Sequence, residues 1–163
     1  MATPTNLPAA QTTGNVLTAA YVNDLRGAFR ILQVVQSAND TTLRSSTSGT
    51  YVDTGLSVTI TPQSTTNKIL CVYNLQTFTS GSGTGIGLRL VRGATTVVTD
   101  VDICYGTNSG IGSMTEIYYI DSPSTTSATT YKVQFARNQG TNISYINASG
   151  AGVSRMYVME ISA

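Results

Sequence analysis

From Asn39 onward the chain is a succession of short apolar runs, and no gap between them is long enough to hold a crossover helix. Parallel strands need connections of roughly a dozen residues or more, so a parallel α/β sheet is excluded and antiparallel pairing remains. The clearest run is 55–60, where Leu56, Val58 and Ile60 point one way and Ser57 and Thr59 the other. Runs at 68–78, 85–92, 95–100, 113–120, 130–137, 142–147 and 154–161 follow, separated by Gly, Ser, Thr and Asn. With a short run at 41–45, this spacing predicts an all-β, antiparallel, jelly-roll-like β-sandwich.

Several of these runs are apolar on both faces. In 68–78, Ile69, Cys71, Tyr73 and Leu75 oppose Leu70, Val72 and Phe78; in the last run, Tyr157, Met159 and Ile161 oppose Met156 and Val158. A sandwich that stands alone wets its outer faces and shows clean alternation, so such strands imply a sheet that is covered a second time. The cover is either other subunits or the N-terminal segment. Composition points the same way. Only 10% of residues are charged, against roughly 25% in an average domain. A surface of Ser, Thr, Asn and Gly meets copies of itself with few charges to desolvate.

The N-terminal part differs in kind. Residues 1–14 are polar, hold Pro4 and Pro8 and show no period, which reads as an extended arm that orders against a neighbour. Over 17–36, Val22, Leu25, Phe29 and Leu32 recur at spacings of three and four, and Thr18 is a suitable N-cap. This predicts one short α-helix with an anchoring or trimerising stripe, or a helix packed on its own domain. The expected division is an arm and helix over 1–38 and a sandwich over 39–163.

Other features restrict chemistry. Net charge is +1 and the cations are scattered, so there is no electrostatic case for nucleic acid. The chain has no His, which removes the commonest general base and metal ligand. Residues 1–20 lack the basic and apolar regions of a signal peptide, and no apolar stretch reaches membrane-spanning length, so a cytoplasmic origin without membrane insertion is expected. Cys71 sits in an apolar run as a reduced core thiol would, and its pairing with Cys104 is left open. The Gly-rich stretch 81–87 lacks the Lys-Ser/Thr of a phosphate loop and reads as a hairpin tip. Asp100 and Asp102 offer two carboxylates on one strand face, too few for a metal site. No catalytic, cofactor-binding or metal residue is assigned. Tyr105, Tyr118, Tyr119, Tyr131, Tyr145 and Tyr157 serve either a recognition surface or, the favoured reading, the core and subunit interface. The turns at 77–84, 105–112 and 137–142 are the expected recognition loops, with Ser80, Ser82, Thr107, Asn108, Asn138 and Gln139 facing a receptor.

The segment Gly14-Asn-Val-Leu-Thr-Ala-Ala-Tyr-Val-Asn-Asp-Leu resembles the start of many bacteriophage tail-fibre and virion proteins. The stretches Thr50-Tyr-Val-Asp-Thr-Gly-Leu-Ser-Val-Thr-Ile-Thr-Pro, Asn67-Lys-Ile-Leu-Cys-Val-Tyr, Leu88-Arg-Leu-Val-Arg-Gly, Thr130-Tyr-Lys-Val-Gln-Phe-Ala and Tyr157-Val-Met-Glu-Ile resemble the small C1q- or tumour-necrosis-factor-like heads of such fibres. Each motif encodes little more than a strand edge or turn; their order carries the resemblance. It implies a homotrimer, with sheet faces meeting near a three-fold axis and an N-terminal arm docked to other virion proteins. The expected role is a short tail or baseplate fibre subunit that meets a host-surface glycan. A capsid decoration protein and a monomeric carbohydrate-binding module are the alternatives.

Overall fold

A computed structural model describes residues 31–148 and 152–162 of the chain. Where β-branched and aromatic residues alternate with polar ones, the backbone is extended, giving β1 (Ile31–Gln36), β2 (Arg44–Ser46), β3 (Val52–Ile60), β4 (Lys68–Thr79), β5 (Thr84–Arg92), β6 (Thr95–Gly106), β7 (Ile111–Asp121), β8 (Thr129–Gln139), β9 (Ser144–Ile146) and β10 (Arg155–Ile161). Every ladder is antiparallel. Each expected run matches a strand.

The strands form two sheets. One follows the order β3-β8-β5-β6. The other is built around β4, which has β7 along one edge, while β10 and then β9 share the opposite edge. Outside these lie β1, paired to β10, and β2, paired to β9. Between the sheets, Leu56, Val58 and Ile60 of β3, Ile86, Leu88 and Leu90 of β5 and Tyr131, Val133 and Phe135 of β8 meet Ile69, Cys71, Tyr73 and Leu75 of β4 and Met156 and Val158 of β10. At roughly 1.5–3 kcal/mol for each large apolar side chain removed from water, this interior dominates the stability. Cys71 and Cys104 are buried free thiols. Burial, helped by Asp121, pushes the Cys71 thiol up to about 12, so it packs as an inert apolar group.

The helix expected over 17–36 does not extend through its last six residues. Residues 31–36 are an edge strand, with Val34 opposite Met159 and Gln36 opposite Tyr157. Leu32 therefore belongs to a strand, at a register irregularity of β1, and not to a helical stripe. The run Ile-Leu-Gln-Val-Val-Gln is rich in β-branched residues, and the open edge of β10 supplies the hydrogen bonds that a helix would have made internally. Val22, Leu25 and Phe29 lie outside the described residues.

One buried carboxylate fastens this edge. Glu160 of β10 is fully buried. It accepts hydrogen bonds from Gln33 Nε2 at 2.6 Å, Asn67 Nδ2 at 2.6 Å and the Gln63 backbone N–H at 2.7 Å. Gln33 also donates to the Thr61 carbonyl at 2.8 Å. Burial alone would raise the Glu160 pKa, but these donors outweigh it and hold the carboxyl below its ordinary value of 4.5. Its stabilising effect is therefore complete above the unfolded value and is lost as pH falls through the lower folded one. Glu160→Gln is expected to lower stability by about 2–3 kcal/mol in urea unfolding at pH 7, and to flatten the acid limb of the stability profile below pH 4.5.

Candidate interaction surface

The two sheets present different chemistry outward. On the four-stranded sheet, the outer row Asp53–Gln134–Arg89 is joined by a hydrogen bond from Gln134 Nε2 to Asp53 and by one from Arg89 Nε to Gln134 Oε1 at 2.7 Å. Lys132 reaches Asp53 at 3.2 Å, and the Thr59 and Thr130 hydroxyls lie 2.8 Å apart. Arg89 also stacks over the Tyr51 ring, 4.4 Å from its centroid. This is an ordinary wet face.

The outer face of the other sheet is apolar. Even-numbered residues of β4 point away from the core, and the ladders arrange their neighbours in rows. One row runs Val34–Met159–Leu70–Ile120, and the next Gln36–Tyr157–Val72–Tyr118. Leu70, Val72, Tyr157 and Met159 are half-buried by their neighbours alone. Tyr118 is 61% exposed, Ile120 58%, Val34 55% and Met114 54%. Apart from Gln36 the two rows are aliphatic and aromatic, an outward apolar patch of the kind that marks interaction sites where a single exposed Leu would not. Towards the far end of β4, Gln76, Phe78, Gly112, Met114 and Ala148 line an open groove of about 440 Å³. Phe78 packs on Tyr145 there, with ring centroids 5.9 Å apart. The double-sided strands noticed in the sequence, β4 and β10, are thus neighbours in one sheet. β7 adds to the same face, and the alternation of Met114, Tyr118 and Ile120 with Thr115, Ile117 and Tyr119 carries that signal in the sequence.

The expected recognition loops converge at one end of the sandwich. Ser80, Ser82, Thr107, Asn108, Asn138 and Gln139 are all exposed. Ser82 Oγ donates to the Thr107 carbonyl at 2.6 Å, and Asn142 Nδ2 donates to the Ser82 carbonyl at 2.9 Å. The Ile143 backbone N–H donates to Ser80 Oγ at 3.0 Å. Asn138 and Gln139 belong to the end of β8, not to a loop, and both donate to Asp102, at 2.8 and 2.5 Å. Asp102 lies where β6 bulges against β5, between the pairs Leu88↔Asp100 and Ile86↔Cys104, with φ of 55°. That left-handed conformation is tolerated by Asp better than by most residues. The bulge separates the two carboxylates that simple alternation would have put together. Asp100 keeps one buried oxygen without a hydrogen bond, and with burial it raises the pKa of Tyr73. Among the described residues no three His, Cys, Asp or Glu side chains gather as a metal site would require.

Of the tyrosines, Tyr131 is buried and donates to Asp121 Oδ2 at 2.7 Å, while Tyr118 and Tyr105 are exposed. Tyr119, Tyr145 and Tyr157 are half-buried. Asp102→Ala is expected to leave the fold intact, lower stability by about 1 kcal/mol, and speed exchange of the Asn138 and Gln139 side-chain amide protons measured by NMR.

No protein-family model matches the chain, and no curated protein matches it. Among solved structures, it is similar to that of the infectious bursal disease virus Gx strain, with 18% identity and a TM-score of 0.43, over 80% of this chain and 36% of the other. The VP2 subviral particle of the same virus gives 18% identity and a TM-score of 0.41, over 79% and 39%. Dimeric latent PorU from Porphyromonas gingivalis gives 7% and 0.44, over 82% and 13%. The chain thus spans less than two-fifths of each. Likeness of this degree assigns no family and transfers no role; the architecture stands on the strand pairings described above.

Proposed function

We propose that the chain is a self-assembling structural subunit of a virus particle, and within that class a short homotrimeric tail or baseplate fibre subunit of a bacteriophage. The observation that carries the proposal is the outward apolar face of the β4 sheet, set beside the wet outer face of its partner sheet. Exposure of so much apolar surface is unfavourable for a chain that remains alone in water. The shortage of charge, 10% of residues, supports the same reading. So does the strand order. With the two three-residue strands set aside, the eight longer ones run first-eighth-third, with the sixth on the far edge of the third, and second-seventh-fourth-fifth, as in a jelly roll.

Polarity along the molecule fits the fibre version. The chain enters β1 at the end marked by Lys68 and Ile161, whereas the polar loops cluster at the opposite end, where β4 gives way to β5 and β6 to β7. Residues 1–30 then attach the subunit to other virion proteins, and the loop end faces a host-surface glycan. A capsid decoration protein would use the same face and arm to clamp neighbouring subunits.

Light scattering after size exclusion is expected to return three times 17.1 kDa for the full chain. Tyr118→Asp combined with Ile120→Asp is expected to give a folded monomer with an unchanged far-UV spectrum. A wild-type monomer at micromolar concentration would overturn the structural-subunit reading and favour a monomeric carbohydrate-binding module using the loop end.

A further inference from the structure

The apolar face carries few charges, and their positions are informative. On the outward side of β4 and its two long neighbours, among the described residues, the charged side chains are Lys68 at the entry end, then Arg155 and Glu116. Arg155 lies opposite Asn74 on the β10 side, and Glu116 lies opposite the same Asn74 on the β7 side. The two therefore stand in one row, two strand spacings or roughly 9.6 Å apart across the sheet. Both are exposed. Neither makes an ion pair with another charge among the described residues; Arg155 instead donates to Asn39 Oδ1 at 3.0 Å, on the β1 side. The apolar rows of Val72 and Leu70 lie next to this row, displaced along the strand by roughly 7 and 14 Å.

Only one sense of packing pairs the charges of this layout as well as its apolar rows. Rotation about an axis parallel to β4 keeps every row at its own height and brings the β10 side of one copy against the β7 side of the next. Arg155 then meets Glu116, Tyr157 meets Tyr118, and Met159 meets Ile120. Rotation about an axis that crosses the strands at Asn74 would place Arg155 on its own counterpart, and one that crosses between the rows of Leu70 and Val72 would stack the apolar rows but set Arg155 opposite Ile161, with no opposite charge to meet. Opposite charges at equal height on opposite flanks, with apolar rows beside them, select the first arrangement.

From this layout we infer that the occupant of the face is a second copy of this chain, related by an axis parallel to β4, with Arg155 of each copy paired to Glu116 of its neighbour. The inference rests on the self-assembly reading above and adds to it the register of the interface. All copies point the same way along the axis, so every polar loop end lies at one end of the assembly and every chain entry at the other. The closed ring uses one heterologous contact repeated at each subunit boundary.

Charge reversal tests it on the full-length chain. Sedimentation equilibrium would compare wild type, Arg155→Glu, Glu116→Arg and the double reversal, with thermal melts confirming that each surface variant stays folded. Each single reversal sets like charges face to face and is expected to weaken association by about 100-fold or more. The double reversal restores the pair with its sign exchanged and is expected to return to within about tenfold of wild type. Single variants that associate as tightly as wild type, or a double reversal no tighter than the singles, would overturn the pairing while leaving self-assembly standing. A monomeric wild type would instead overturn self-assembly itself, and with it the structural-subunit reading.

Discussion

β4 is the element on which the rest of the molecule hangs, because a strand has two faces and this one carries apolar residues on both. Its odd-numbered residues, Ile69 to Leu75, close the core, while Leu70 and Val72 open onto the outer surface. Among the described residues no other strand holds three partners, β7 on one edge and β10 and β9 on the other. A one-residue slip of β4 would exchange its two faces and misplace both the interior and the exposed rows. Alternation along this strand therefore couples folding of the subunit to the surface that it presents.

Polar groups are placed where they hold the edges of this arrangement. Glu160 gathers Gln33, Gln63 and Asn67 and so binds the first strand and the β3–β4 connection to β10. Asp102 gathers Asn138 and Gln139 and fixes the loop end of β6 against β8. In each case a carboxylate accepts from neutral amides, so the chain anchors its periphery with few cations. Sparing cations in this way leaves the outer face of the β4 sheet nearly uncharged, so an apolar surface packed against it would meet only a small desolvation penalty.

Much of the architecture was legible in the residues. The strands from β3 onward follow from alternation and from the turns between them, and the double-sided character of β4 and β10 pointed to a face that is covered twice. The helix expected to run to Gln36 shows the limit of such reading. Leu32 continues a helical spacing along the chain, yet the edge of β10, distant in sequence, decided the conformation of residues 31–36. Alternation likewise places the two carboxylates of Asp100-Val-Asp on one strand face; a bulge cannot be seen in an alternating run, since it depends on the partner strand.

The sequence by itself determined the β class, the absence of room for crossover helices, the placement of the inward residues and the scarcity of charge, all of which depend on neighbours along the chain. Tertiary structure decided which strands lie side by side. Only through that choice do Val34, Met159, Leu70 and Ile120, drawn from four separate strands, become one row. The same choice sets Arg155 and Glu116 on either side of Asn74 at one height. Strand pairing is a long-range contact chosen by the packing of the whole core, so the surface it assembles cannot be read from local pattern alone.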